Sequence, residues 1–169
     1  MNLHHDPLWP RAGAWNSDAS RVDFGIIGVP TYSTSITPGS THLTPAAVRA
    51  VIPRYSEMTF GPNGARTADS LERADFGDVV DPDGDESGAI ETIRRAAART
   101  RLLVAIGGDN ALTVPVSVGA WGDETATAGL ITVDAHLDVR HGRSNGSPVR
   151  RLVDEFGLDP TRIVQIGIA

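Results

Sequence analysis

Ile131-Thr-Val-Asp134-Ala-His136-Leu-Asp138-Val-Arg140 continues an apolar run that begins at Gly129, and its reading decides the fold class. Gly129 to Val133 reads as a buried strand that runs straight into three polar residues at alternating positions. In extended backbone, residues two apart point to the same side, so a chain leaving a strand here aims Asp134, His136 and Asp138 at one point. Two carboxylates and an imidazole are metal-competent donors. A plainer reading lets the aspartates cap the loop and the histidine bond a backbone carbonyl. Three such groups at the C-terminal mouth of a parallel strand favour metal.

Outward from this stretch, apolar runs alternate with helical patterns. Strands are expected at Phe24 to Val29, Ala74 to Val80, Leu102 to Ile106, Ala128 to Val133 and Arg162 to Ile168. Between them, Thr44-Pro45 makes a cap and first turn for a helix reaching Ile52, and Pro53 ends or kinks it. Ile90, Ile93 and Ala97 give a helical period with acids early and Arg94, Arg95, Arg99 and Arg101 late, as the helix dipole prefers; the arginines read as a solvated face. Ala111 to Val118 and Ser147 to Phe156 are the remaining helices. Almost wholly apolar strands alternating with helices predict an α/β fold, a parallel sheet with helices on both faces.

The remaining segments read as loops. Residues 1–21 form an irregular arm anchored by Trp9 and Trp15, 31–44 a long polar loop, and 56–70 a further loop with a turn at Gly61-Pro-Asn-Gly64. No repeat or low-complexity linker divides the chain. It stops at a strand, Ile163 to Ala169, which leaves an apolar sheet edge open; completion by a second chain, or by the rest of a longer protein, is expected.

The chain has 169 residues, no cysteine and a formal charge of -6. Its length suffices for one core. The lack of cysteine excludes thiolate zinc sites, disulfides and cysteine nucleophiles, leaving oxygen and nitrogen ligands for manganese, magnesium, iron or zinc. There is no basic stripe for nucleic acid, no apolar run of membrane-spanning length and no signal-like start, so a cytoplasmic protein acting on a small molecule is expected.

A second strand end, Gly107-Gly-Asp109-Asn110, can meet the first in one cleft. Here the sequence resembles the ureohydrolase family, which includes arginase, agmatinase and formimidoylglutamase. Gly107-Gly-Asp-Asn-Ala111 is similar to its G-G-D-H-S, Asp134-Ala-His-Leu-Asp138 to its D-A-H-x-D, and Asn145-Gly-Ser-Pro-Val-Arg150 to its H-G-T-P-F-R. Pro38-Gly-Ser to Pro45-Ala-Ala-Val-Arg49 resembles its G-x-x-x-G-P-x-x-L-R region. The short loop after Asp138 is nearest the agmatinase and formimidoylglutamase branch.

The resemblance implies a three-layer α/β/α arginase-like fold, of which residues 1–169 are the N-terminal portion of a single catalytic domain. It also implies a binuclear manganese centre and hydrolysis at a guanidino or formimino carbon. By position, Asp134 would bridge two Mn2+ ions, His136 would bind one and Asp138 the other, with Asp109 supporting them from behind. The family's later S-x-D-x-D-x-x-D-P ligand motif is absent, so this chain alone is expected to be inactive. An intact parent is expected to be a homo-oligomer.

Two departures stand out. Asn110 occupies the place of a ligand histidine, and Asn145 that of a histidine implied in proton transfer and substrate positioning. An amide can offer an oxygen to a metal but cannot shuttle a proton near neutral pH. Asn145 is left to orient substrate by hydrogen bonds, while His141, three residues after Asp138, is the histidine best placed to compensate; His42 is less favoured. Arg140 at the rim can grip a carboxylate, which favours an acidic substrate such as formiminoglutamate over agmatine. A catalytically silent relative, or another metal amidohydrolase on this fold, stays open.

Overall fold

The computed structural model describes residues 6, 10–13, 15, 18–62, 64–67 and 71–169. Trp9 and most of the N-terminal arm lie outside them. Trp15 meets Phe24 edge-on at 5.6 Å and donates its indole N–H to Glu57, so this tryptophan anchors the arm locally.

Strand β1 (Val22–Val29) lies between β4 (Arg73–Asp78) and β5 (Thr100–Gly107), all parallel. Ile26 and Ile27 are both buried although they point to opposite faces, as a covered parallel strand requires. Ile27 and Val29 pack against Ala89, Ile93 and Ala96 of α2 (Glu86–Ala98). The opposite face receives α1 (Thr44–Val51), whose buried Pro45 sits beside Gly28. Helices therefore flank both faces of this three-stranded set. Asp85 caps α2 by accepting from the Gly88 amide.

Arg49 of α1 crosses to β4 and bonds both oxygens of Asp75, at 2.6 and 2.8 Å, and also Asp78. Burial pushes the Asp75 carboxyl up, but Arg49 and the Gly77 amide outweigh it and hold the pKa below the usual range. A depressed carboxylate stabilises the fold above its unfolded pKa and loses that contribution as pH falls through the folded value. Arg49→Met is therefore expected to cost about 2 kcal/mol at neutral pH. The gap between variant and wild type should close in thermal unfolding as the buffer is taken into the acid range; a gap constant with pH would refute the linkage.

Helix α3 (Thr113–Trp121) ties β5 to the second parallel set, β6 (Leu130–Val133) and β7 (Ile163–Ile166). Val116 packs on the first core, whereas Val114 and Val118 join Leu152 of α4 (Pro148–Asp154) and Leu158 in the second. One helix thus fixes the spacing of the two strand ends that carry the site. The apolar runs predict all five strands in one sheet, but β5 and β6 are not hydrogen-bonded to each other. Each pairs on one side only, and Leu102, Ile131 (71 %) and Val133 (81 %) are exposed.

The 56–70 segment also departs from expectation. Its turn is real, but Met58–Gly61 (β2) and Gly64–Thr67 (β3) pair around it as a hairpin. These four-residue strands carry too few apolar residues to show a period of two. Among the described residues no helix is long and apolar enough to cross a membrane.

The ends of β1 and β5 approach each other tightly. The Gly108 amide donates to the Val29 carbonyl, and a Cβ on Gly108 would stand 2.0 Å from the Thr31 carbonyl oxygen. Backbone on both sides cannot yield as a side chain can. Gly108→Ala is expected to cost about 3 kcal/mol in urea unfolding; a neutral substitution would show that the loop after β1 moves freely.

Candidate functional site

The backbone after β6 is shaped by Asp138, which adopts a left-handed φ of 55°. This turns its carbonyl toward α4, where it accepts from the Val149 and Arg150 amides, donors that the first turn of a helix leaves without intrahelical partners. The same turn points the carboxylate the other way, into a cavity of about 570 Å3. Asp134, His136, Asp138, Asn110, Arg140 and Asn145 all line that cavity.

Asp134 both lines the cavity and caps its own turn. Its Oδ1 accepts from the His136 amide at 2.8 Å and meets His136 Nδ1 at 3.0 Å. The His136 amide leads in holding the Asp134 pKa below the usual range. His136 is 83 % exposed in its side chain. Asp138 is shifted the other way: burial pushes it up, and the negative charge of Asp134 adds to this against the hydrogen bond from Asn110. Two carboxylates in one cavity repel, and a bound cation relieves that repulsion.

Asn110 is the link between the two strand ends. Its Nδ2 donates to Asp138 Oδ2 at 2.6 Å and to the Asn145 carbonyl at 3.2 Å, while its Oδ1 accepts from the Thr113 hydroxyl at 2.8 Å. The amide nitrogen is the atom turned toward Asp138, and the oxygen is held by Thr113.

Asp109 lies just behind. Its Oδ1 accepts from the Ala111 amide, its Oδ2 accepts from Ser35 and Thr34, and Thr31 Oγ1 donates to its carbonyl. These bonds pin the loop after β1 against the site and carry Ile36 onto the cavity wall. His141 is exposed and does not line the cavity, although Val139 and Arg140 before it do. His42 packs against Tyr32 with ring centroids 4.5 Å apart and planes tilted by 47°, and is also outside it.

Residues 22–169, from β1 onward, match the arginase family. The chain belongs to the arginase family. A formimidoylglutamase from Halalkalibacterium halodurans is 30% identical over 162 residues, covering 89% of this chain and 50% of that protein. A mitochondrial agmatinase from Gallus gallus is 36% identical over 166 residues, covering 90% of this chain and 47% of its own length. The crystal structure of Trypanosoma cruzi formiminoglutamase with Mn2+ superposes with a TM-score of 0.75 at 26% identity, over 89% of this chain and 55% of that one. The chain spans about half the length of the curated relatives it matches.

For an arginase-family chain, the donors suit a hard divalent cation: two carboxylates and an imidazole on one cavity, with repulsion that a cation would quench. Among the described residues, no three histidine, aspartate or glutamate side chains converge as a finished ion cage. Asp134, His136 and Asp138 line the cavity without closing into such a group, His136 being turned onto Asp134. Several supporting residues gave no sequence signal. Thr113, which orients Asn110, and Gln165, whose Nε2 donates to the Leu137 carbonyl, act through contacts that no local pattern reveals.

Proposed function

We propose that this chain is the N-terminal half of the catalytic domain of a metal-dependent hydrolase that breaks a guanidino or formimino C–N bond in a small molecule. The observation that carries the reading is the convergence of Asp134, His136, Asp138 and Asn145 on one cavity at the strand ends of an arginase-family chain. Two manganese ions are the proposed cofactor, in keeping with the Mn2+ named for the trypanosomal relative. Asp134, His136 and Asp138 would hold them, together with donors from the remainder of the parent protein.

When bound, the metal supplies Lewis acidity, lowering the pKa of water so that a nucleophile forms at neutral pH. The chain's own residues prepare the site for it. Asn110 braces Asp138 in the orientation that faces the cavity, and Asp109 holds the loop after β1 in place. The Asn145 side chain makes no hydrogen bond to a described residue, so its amide is available to orient a planar amidine by one donated and one accepted bond. Water attacks the amidine carbon, the C–N bond to the amine breaks, and the amine leaves with a proton. The attacking water supplies that proton, and Asn145, an amide, does not relay it.

The test is intact mass, manganese content and amine release on the full-length parent. About two manganese ions and turnover of formiminoglutamate or a guanidino compound are expected. A folded parent that takes up no manganese would instead support a silent relative, to which the asparagines at 110 and 145 point. The 169-residue chain assayed alone is expected to show no turnover.

A further inference from the structure

We propose that Gln165 and Arg150 are positioning residues: they lock the left-handed turn at Asp138 and so keep its carboxylate in the cavity. That the carboxylate then holds a metal rests on the hydrolase reading above. Three consecutive carbonyls around the turn each accept from a donor on α4 or β7. Gln165 Nε2 donates to the Leu137 carbonyl at 3.0 Å. The Val149 and Arg150 amides donate to the Asp138 carbonyl at 3.1 and 3.3 Å. Arg150 Nε donates to the Val139 carbonyl at 2.7 Å.

The turn needs this hold. A φ of 55° works against the steric preference of an L-residue, whose Cβ crowds the following carbonyl oxygen in the left-handed region. Such backbone persists only where its surroundings over-determine it. Side-chain packing among the described residues supplies little of that, since Leu137 and Val139 are 49 % and 42 % exposed. On the α4 side of the loop lies a second cavity, of about 450 Å3, with Val139, Val149, Val153 and Ile163 among its lining beside Arg150 and Gln165. With space rather than packed side chains at its back, the turn is held by its hydrogen bonds.

The two residues act on the backbone, whereas Asn110 acts on the carboxylate itself through Asp138 Oδ2. Gln165 stands on β7 opposite Thr132 of β6, which puts its amide within reach of the loop that β6 feeds. Arg150 is steadied in turn by Asp154, at 3.4 Å and one helical turn further along α4. Without these donors the peptides on both sides of Asp138 are free to rotate. Its φ then returns to the common negative range, and the carboxylate leaves the cavity.

Hydrogen exchange on the metal-free full-length parent reads the turn at the amides of residues 149 and 150, which bond the Asp138 carbonyl. Gln165→Glu keeps the size of the side chain but sets a carboxylate oxygen against the Leu137 carbonyl; Arg150→Met keeps the stem and removes the side-chain donor. Each is expected to speed exchange at those two amides about 10-fold. Exchange in α2, as at the Ala89 amide bonded to the Asp85 carbonyl, should not change. Arg150→Lys, which can still donate to the Val139 carbonyl, should return exchange toward the wild-type rate. Titrated with manganese, Gln165→Glu and Arg150→Met should bind the ion about 10-fold more weakly than wild type. Unchanged exchange at residues 149 and 150, or equal acceleration in α2, would overturn the proposal. Faster local exchange with manganese binding unaltered, or with none in the wild type, would leave the clamp standing and sink the reading of Asp138 as a ligand.

Discussion

Asp134→Asn in the full-length parent is expected to lose manganese and to lower kcat/KM by about 1,000-fold, the several kcal/mol that a Lewis acid contributes at such a centre. The substitution is chosen because it should spare the fold. An asparagine oxygen can still accept the His136 amide, now bonded to Asp134 Oδ1 at 2.8 Å, so the turn after β6 persists. What disappears is the negative charge that, with Asp138, makes the cavity attractive to a cation. Metal analysis beside steady-state kinetics reads both consequences. A variant that keeps its manganese and its rate would remove Asp134 from the ligand set, and one that loses rate but keeps both ions would make it an orienting group only.

Arg151→Met is expected to cost about 3 kcal/mol in urea unfolding. The Arg151 side chain is 6 % exposed and donates to both Glu86 oxygens, at 2.7 and 2.8 Å, and to both Glu155 oxygens, at 2.9 and 3.0 Å. Methionine fills much of the volume but leaves two carboxylates facing each other. Glu86 and Glu155 keep some access to water, which holds the cost at the lower end for a broken buried pair. The consequence reaches the site, because α4, which carries Arg151, is also the helix whose first amides bond the Asp138 carbonyl. A double-mutant cycle with Glu86→Gln should show a coupling of about 1 kcal/mol or more. Additive effects would mean that Arg151 acts through packing alone.

The central parallel strand was legible because a strand buried on both faces must be apolar at consecutive positions, as Ile26-Ile27 is. Asp134, His136 and Asp138 all line one cavity, although β6 ends at Val133 and the chain reaches Asp138 through bends rather than in extended backbone. The β2–β3 hairpin was not legible, because its four-residue strands carry too few apolar residues to show a period of two. The place of His141 was not legible either, because spacing along the chain does not report the course of the loop that follows the left-handed Asp138.

The sequence by itself determined the α/β class and the family, since each rests on side-chain period or on motifs within a few residues of one another. Only the tertiary structure decided which atom Asn110 turns to Asp138, that Asp109 reaches back to Ser35, and that Arg140, unlike Arg143, Arg150 and Arg151, has no acid among the described residues. Those are contacts between residues 28 or 74 positions apart, or balances among charges on different helices. Local propensity carries no information about them, because they form only when α3 packs on both cores and sets the two strand ends side by side.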